Sequence, residues 1–343
     1  MKAADDFGQA GLVEWLSEPA TWRDAPSTVA RVETHFAWVF LTGSRAYKLK
    51  KRIRTRGVDL STLAERERCC REELRLNRRL AAETYLDVLP VVRNRDGFSF
   101  HGPGVVVDWL VEMRQLDRRR MLDARLRDGD VVAADLLATL RHLQRLEPAR
   151  TPAARGRSET AAAAVAGVRS RLAEALREFS RPEFEIAPEH RVPLADALRR
   201  SFVALEPVLA ARASRVRDGH GDLRAEHVWL GEPLQVLDAL EFASDLRRLD
   251  AVEDVAMLAV DCERIAGPWP RRILCAGYAD VARDGPPPEL WRFLLALRAV
   301  TRAKVALWHL DDPACAAEGD RWRRVALDFL ALAAARLESD PSR

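Results

Sequence analysis

The stretch HGDLRAEHVWLGEPLQVLDALEF, residues 220–242, places His220, Asp222, His227, Asp238 and Glu241 in a run whose other residues are mostly apolar. Two short apolar runs flank Gly231-Glu232-Pro233, a pattern that predicts a β-hairpin. His220, Asp222 and His227 precede the first run, and Asp238 and Glu241 follow the second. Strand ends are rigid and still open to a ligand, so the placement suits a catalytic loop. Carboxylates are also ordinary turn residues, so the rest of the chain has to decide.

Upstream, VARVETHFAWVFLTGSRAYKLKK (29–51) holds two runs rich in Val, Phe, Trp and Tyr around Thr42-Gly43-Ser44-Arg45, a second hairpin signal. Strand alternation sets Ala46, Lys48 and Lys50 on one face and Tyr47 and Leu49 on the other. LAERERCCREELRLNRRLAAE (63–83) has helical spacing, with Cys69, Leu76 and Leu80 on a stripe and Glu73, Leu76, Asn77 and Leu80 at steps of three and four. Residues 85–94, 96–100 and 104–116 read as three further short strands. From about residue 117 the pattern is helical except at the quoted hairpin. The fold class is therefore α+β: a small β-rich lobe with one main helix, then a larger, mostly helical lobe. The expected division is a helical extension over 1–28, an N-lobe over 29–115, and a helical C-lobe over 116–343 that carries the quoted stretch.

The bulk properties agree with a globular chain. In 343 residues, 55 basic and 52 acidic side chains leave a net charge of only +3, so no nucleic-acid partner is expected. No apolar run has the length of a signal peptide or membrane span, so the expected location is cytoplasmic, without a membrane partner. Cys69, Cys70, Cys262, Cys275 and Cys315 form no C-x-x-C pair and make an odd count, which argues against a disulfide framework. The sequence leaves the oligomeric state open. Lysine usage is informative: only Lys2, Lys48, Lys50, Lys51 and Lys304 occur among the 55 basic residues, and three of the five share one strand. A compact ammonium reaches phosphate as a point charge where a planar guanidinium fork does not fit.

Metal-dependent phosphoryl transfer needs a carboxylate near the attacking hydroxyl, ligands for a divalent ion on the phosphates, and a cation on other phosphate oxygens. Asp222, the pair His227 and Asp238, and Lys48 with Glu73 as its partner supply these parts. HGDLRAEHV followed by VLDALEF resembles the catalytic loop and metal motif of the aminoglycoside phosphotransferase-like family, which has the protein-kinase-like fold. ETHFAWVFLTGSRAYKLKK and EELRLNRRL extend the resemblance over roughly residues 30–312, to the phosphotransferase-like domain that precedes a P-loop domain in many bacterial proteins. No G-x-x-x-x-G-K-[ST] occurs, so no P-loop domain is expected in this chain.

The resemblance implies a two-lobed fold and a kinase using ATP or GTP with Mg²⁺, or Mn²⁺, on a hydroxyl of a small molecule such as a sugar, aminoglycoside or related polyol. It matches Asp222 to the catalytic aspartate, Asp238 to the metal aspartate and Lys48 to the strand lysine. Glu73 is its helix partner, with Glu72 an alternative. His220 and Asp254 match structural supports of the loop. Two departures stand out. His227 lies where asparagine is usual, which leaves open coordination through water, a preference for Mn²⁺, or a site that has lost catalysis. VETHFAWV has no glycine, so Thr34, His35 and backbone N–H groups would have to cradle phosphate. Glu241, Asp245, Asp261 and Glu263 are candidate acidic contacts to the acceptor, with an ion pair to Arg247 or Arg248 equally open for Glu241. The alternative to a kinase is a nucleotide-binding pseudokinase or regulatory module.

Overall fold

The computed structural model describes residues 9–55, 57–146, 157–311 and 317–338. By its internal contacts the chain forms two compact units, one of residues up to Arg120 with Gly231–Ser244, the other of Met121–Leu230 with the chain from Asp245 onward.

In the first unit, helix α1 (Gln9–Ser17) precedes strands β1 (Ala30–Glu33), β2 (Ala37–Leu41) and β3 (Arg45–Lys50), and a small pair, β4 (Arg54–Thr55) and β5 (Val58–Asp59). Helix α2 (Leu63–Ala81) leads to β6 (Tyr85–Asn94), β7 (Gly97–Ser99) and β8 (Val105–Arg114). The main sheet has the order β1-β2-β3-β8-β6-β7, with antiparallel neighbours throughout. The first apolar run is thus two strands rather than one. Thr34 breaks it, because its backbone N–H and hydroxyl both donate to the Ala37 carbonyl, at 2.8 and 3.0 Å. The β2–β3 turn is the expected one, with Gly43 at φ 91° where a side chain would be strained.

One face of this sheet packs Phe40, Leu49, Val91 and Leu110 against Leu12, Val13 and Leu16 of α1. The first helix is therefore part of the core, where the sequence suggested an extension over 1–28. Other apolar clusters receive α2: Cys70 and Ala81 meet Tyr85, Val88 and Val111, and Cys69 meets Val58 and Leu60. Thr62 caps α2 by accepting from the Glu65 N–H. Leu237 and Phe242 pack into these last two clusters. Their burial is why Gly231–Ser244 belongs to the first unit, whereas a division at 115/116 assigned it to the C-lobe.

The second unit contains α3 (Leu122–Arg127), α4 (Ala133–Leu143), α5 (Arg157–Phe179) and α6 (Pro188–Ala211), then the short strands β9 (Val216–Asp218) and β10 (Val228–Trp229). Strand β11 (Gln235–Val236) lies in the Gly231–Ser244 segment, and the turn of helix α7 (Ser244–Arg247) follows it. Strand β12 (Arg248–Asp250) pairs antiparallel with β9. Helices α8 (Ala251–Ala266), α9 (Pro268–Ala282), α10 (Pro288–Trp308) and α11 (Gly319–Leu337) complete the unit. Every residue from Val252 to Glu263 is buried, so α8 is the central helix, with α9, α10 and α3 packed on it. Asp250 caps α8 through the Val252 N–H, and its own N–H reaches Glu253, a capping box. Among the described residues no helix is long and apolar enough to cross a membrane. Cys69, Cys70, Cys262 and Cys275 are free thiols, and Cys315 lies outside the described residues.

Candidate functional site

Each unit contributes one group of polar residues. In the first, alternation along β3 turns Lys48 and Lys50 to the same face, and helical spacing on α2 brings Glu73 under them, 0 % exposed. Lys48 Nζ lies 2.9 Å from Glu73 Oε1 and 2.6 Å from Asp238 Oδ1. Lys50 Nζ lies 2.6 Å from Glu73 Oε2 and also pairs with Glu241. The result is a continuous chain, Asp238–Lys48–Glu73–Lys50–Glu241. Glu72 instead pairs with Arg75 at 2.7 Å on the exposed side of the helix.

Burial acts to discharge Lys48, yet the carboxylates of Asp238 and Glu73 outweigh it and hold its pKa well above the ordinary range. Lys50 is held up likewise, burial being overcome by Glu241 and Glu73. Burial would raise Glu73, but the two lysines lower it. The chain has three carboxylates for two ammoniums, and at Glu241 burial raises the pKa more than Lys50 lowers it. Of the ion-pair partners expected for it, Arg247 pairs with Asp218 at 2.8 Å instead, and Glu241 turns to Lys50.

Asp238 sits at φ 62°, a conformation uncommon outside glycine. Two groups from the same unit support it: its N–H donates to Tyr85 Oη at 3.2 Å, and the Ala239 N–H donates to Asn77 Oδ1 at 2.9 Å. Asn77 Nδ2 in turn donates to the Glu73 carbonyl at 2.9 Å. Thr34 and His35 take no part in this chain. The Thr34 hydroxyl closes its own turn, and the exposed His35 ring stands edge-on to Phe36 at 4.6 Å.

In the second unit, the loop after β9 hangs from two aspartates of α8, seven residues apart. Asp254 accepts the N–H groups of His220 at 2.9 Å and Gly221 at 3.0 Å, and Asp261 accepts that of Ala225 at 2.9 Å. The His220 and His227 rings stack at 5.4 Å. His227 Nδ1 lies 2.8 Å from the Asp222 carbonyl oxygen, and Nε2 lies 2.9 Å from Arg224 Nη2. A carbonyl only accepts and a guanidinium only donates, so the ring proton is on Nδ1 and the Nε2 lone pair faces Arg224. As placed, His227 offers no atom to a metal. Asp222 is 25 % exposed, with Arg224 Nε at 3.1 Å and Arg302 Nη1 at 3.7 Å. Burial would raise its pKa, but Arg224 and Arg302 outweigh it and hold the carboxyl well below its ordinary range.

The remaining candidates separate. Asp261 is committed to the loop, and Glu263 is buried between Arg271 at 2.9 Å and Arg336 at 3.0 Å. Asp245 is exposed and lines a cavity of about 380 Å³ along α5 with Gly167, Arg171, Val216 and Arg248. Asp222 does not line it. Sequence reasoning missed Lys50, Asn77, Tyr85, Arg224 and Arg302. Lys50 shares the face of Lys48 and Asn77 the stripe of Glu73, so both had a legible signal. Arg302 lies some eighty residues from the loop and had none.

No family model matches the chain. It is 34 % identical over 312 residues, 89 % of its length, to an uncharacterised protein of Mycobacterium tuberculosis, and spans 60 % of the length of the curated relatives it matches. A choline/ethanolamine kinase family protein from Mesorhizobium loti superposes over 96 % of this chain and 95 % of its own, with TM-score 0.55 and 17 % identity. An aminoglycoside 2″-phosphotransferase bound to GDP and kanamycin superposes over 94 % and 99 %, with TM-score 0.53 and 13 % identity. The half-barrel of antiparallel strands and the larger helical part are common to them. The chain thus has the protein-kinase-like fold shared by aminoglycoside phosphotransferases and choline/ethanolamine kinases, as the motifs in its sequence implied.

Proposed function

We propose that the protein is a nucleotide-dependent phosphotransferase acting on a hydroxyl of a small molecule. The observation that carries this reading is the Asp238–Lys48–Glu73 chain, in which a strained-backbone aspartate and a buried, charged lysine converge. A structural ion pair has no need of a left-handed aspartate 43 % exposed to solvent. In the reaction, a P–O bond forms to the acceptor hydroxyl as the bond from the terminal phosphorus to the bridging oxygen breaks. The nucleoside diphosphate leaves with that electron pair. Lys48 serves the phosphate oxygens. Asp222 accepts a hydrogen bond from the acceptor hydroxyl, aligns it, and takes its proton late, as the new P–O bond completes. Arg224 and Arg302 make Asp222 a weak base, which suits a loose transition state that needs positioning more than early deprotonation.

Mg²⁺ on a nucleotide typically uses one or two protein carboxylates, with phosphate and water completing the octahedron. Asp238 fits that demand, and among the described residues no group of three His, Cys, Asp or Glu side chains is arranged to hold an ion alone. When bound, the ion would neutralise phosphate charge. The pseudokinase reading is favoured by one observation, the engagement of both His227 ring nitrogens within the loop.

A thermal-shift titration with ATP and GTP, each with Mg²⁺, Mn²⁺ or EDTA, tests the proposal on the native protein and on Asp238→Ala. A ligand at about 100 times its dissociation constant adds about 2.7 kcal/mol. A metal-dependent rise lost in Asp238→Ala is the expected result. No rise in any condition overturns nucleotide binding, and a rise without transfer to any acceptor supports the pseudokinase.

A further inference from the structure

Two lysines on one face of β3 meet the same carboxylate, and only one of them is within reach of a ligand. Lys48 is 14 % exposed, and its other partner, Asp238, is 43 % exposed. Lys50 is 2 % exposed and lies between Glu73, at 0 %, and Glu241, at 8 %. Lys50 therefore meets no phosphate itself, and whatever it does for a ligand passes through its two carboxylates.

The residue is fixed at both ends. Its Nζ donates to Glu73 Oε2 at 2.6 Å and to Glu241. Its backbone is held from α1, where Gln9 Nε2 donates to the Lys50 carbonyl at 2.8 Å and Gln9 Oε1 accepts the Arg52 N–H at 2.6 Å. Gln9 Nε2 also donates to Asp108 Oδ2 at 2.9 Å, and Asp108 Oδ1 accepts from the buried Arg66 Nε at 2.8 Å. Apolar side chains of similar size often stabilise a core as well as a buried ion pair does. What the ammonium adds is direction, because it orients two carboxylates at once.

Glu73 presents one oxygen to each lysine, Oε1 to Lys48 and Oε2 to Lys50. Glu241 follows Asp238 by three residues, so the same ammonium ties the Asp238 segment to β3. Lys48 and Asp238 neutralise one another at 2.6 Å. Phosphate and a divalent ion would compete for both, drawing the ammonium to phosphate oxygens and the carboxylate to the metal. The Lys50 contacts are left in place by that exchange.

We propose that Lys50 is a positioning residue for the nucleotide phosphates. Bridged between Glu73 and Glu241, it keeps Glu73 aimed at Lys48 and the Asp238 segment on β3 while Lys48 and Asp238 give each other up for phosphate and metal. The inference rests on the phosphotransferase reading and assigns a role to the inner half of the ion chain, which that reading leaves unused.

The test compares a nucleotide with its nucleoside, since only the nucleotide carries the phosphates that Lys48 would hold. Dissociation constants for Mg-ATP and adenosine, or for Mg-GTP and guanosine if the guanine nucleotide binds better, are measured by calorimetry. The proteins are the native full chain, Lys50→Met/Glu241→Leu and Glu241→Ala. The double variant removes one cation and one anion together; it should bind the nucleotide about tenfold more weakly, or worse, and the nucleoside within about twofold of native. Glu241→Ala leaves Lys50 on Glu73 and frees only the Asp238 segment, which gives a readout if the double variant does not fold. Its expected loss is about threefold or more for the nucleotide, with the nucleoside again within about twofold. Nucleotide affinity equal to native in the folded variants overturns the inference. So does an equal loss for nucleotide and nucleoside, because a general distortion of the lobe acts on both. A native protein that binds no nucleotide overturns the phosphotransferase reading and the inference with it, whereas native and variant proteins that bind equally well overturn the inference alone.

Discussion

His227 donates its Nδ1 hydrogen to the main-chain carbonyl of Asp222, 2.8 Å away. The imidazole therefore acts on the catalytic loop from within, fixing the backbone of the residue that would align the acceptor. An asparagine can make the same bond through its amide N–H, accept from Arg224 through its amide oxygen, and present that hard oxygen to Mg²⁺. His227→Asn should therefore unfold within about 1 kcal/mol of the native protein and depend more strongly on Mg²⁺ over Mn²⁺ for nucleotide stabilisation. His227→Ala takes the ring donor from the Asp222 carbonyl and should cost about 1–3 kcal/mol. Urea unfolding and metal-dependent thermal shifts read both. Equal losses in the two variants would show that the imidazole ring itself is required.

The shared carboxylate of Glu73 predicts an asymmetry. Removing Lys48 leaves Glu73 paired with Lys50 and leaves Asp238 half in solvent. Lys48→Met should cost about 1 kcal/mol or less in stability while abolishing nucleotide binding. Glu73→Ala removes the buried anion on which both lysines converge, and breaking a buried pair costs about 3–5 kcal/mol. Urea midpoints decide between this ordering and its reverse.

Much of this site was legible before any coordinates. The faces that carry Lys48 and Glu73 were legible because strand and helix periods are local properties, read off the chain directly; that Asp238 joins them was implied only by the resemblance. Asp254 beneath the loop also follows its motif. What was not legible is pairing at long range. Nothing in the spacing says that Glu241 turns to Lys50, that Asp261 holds Ala225, or that Arg302 reaches Asp222. The placement of Gly231–Ser244 was hidden for a related reason: nothing local to Leu237 and Phe242 says which apolar clusters receive them.

Glu253 gives a pH dependence with a definite sign. It is buried between Arg171, at 2.7 Å, and Arg298, at 2.8 Å. Burial would raise its pKa, and the two arginines overcome that and hold it below the ordinary glutamate range. A carboxyl with a depressed folded-state pKa contributes its stability in full above the unfolded value and loses it as pH falls through the folded value. Glu253→Gln should thus be less stable than native at pH 7, by about 3–5 kcal/mol for a broken buried pair. The gap should narrow as pH falls through the ordinary glutamate range, from about 5 towards about 3. Urea midpoints at several pH values measure it, and a gap independent of pH would mean that the pair contributes through packing instead of charge.

Gly219 stands immediately before the loop, and a Cβ built on it would lie 2.4 Å from Asp254 Oδ2. That oxygen is the one accepting the His220 N–H. Alanine at this position can be accommodated only if the Asp254 carboxylate moves, since the other near atom, Leu249 Cδ1 at 3.0 Å, closes the opposite side. Moving it loosens two N–H bonds at the start of the loop and shifts Asp222 relative to its arginines. Overpacking of this size costs about 1–3 kcal/mol, and a displacement near the chemistry of about 1 Å can cost on the order of a hundredfold in turnover. Gly219→Ala should accordingly lower transfer far more than it lowers the binding of Mg-nucleotide, because Lys48, Glu73 and Asp238 belong to the other unit. Asp254→Asn is the complementary variant: it keeps the shape, turns an amide NH2 towards one of the two N–H groups in place of an acceptor, and should fall between native and Gly219→Ala in rate. Parallel thermal-shift titrations and single-turnover transfer assays separate the two effects. A Gly219→Ala protein that loses nucleotide binding as much as transfer would mean that Asp254 supports more than the loop.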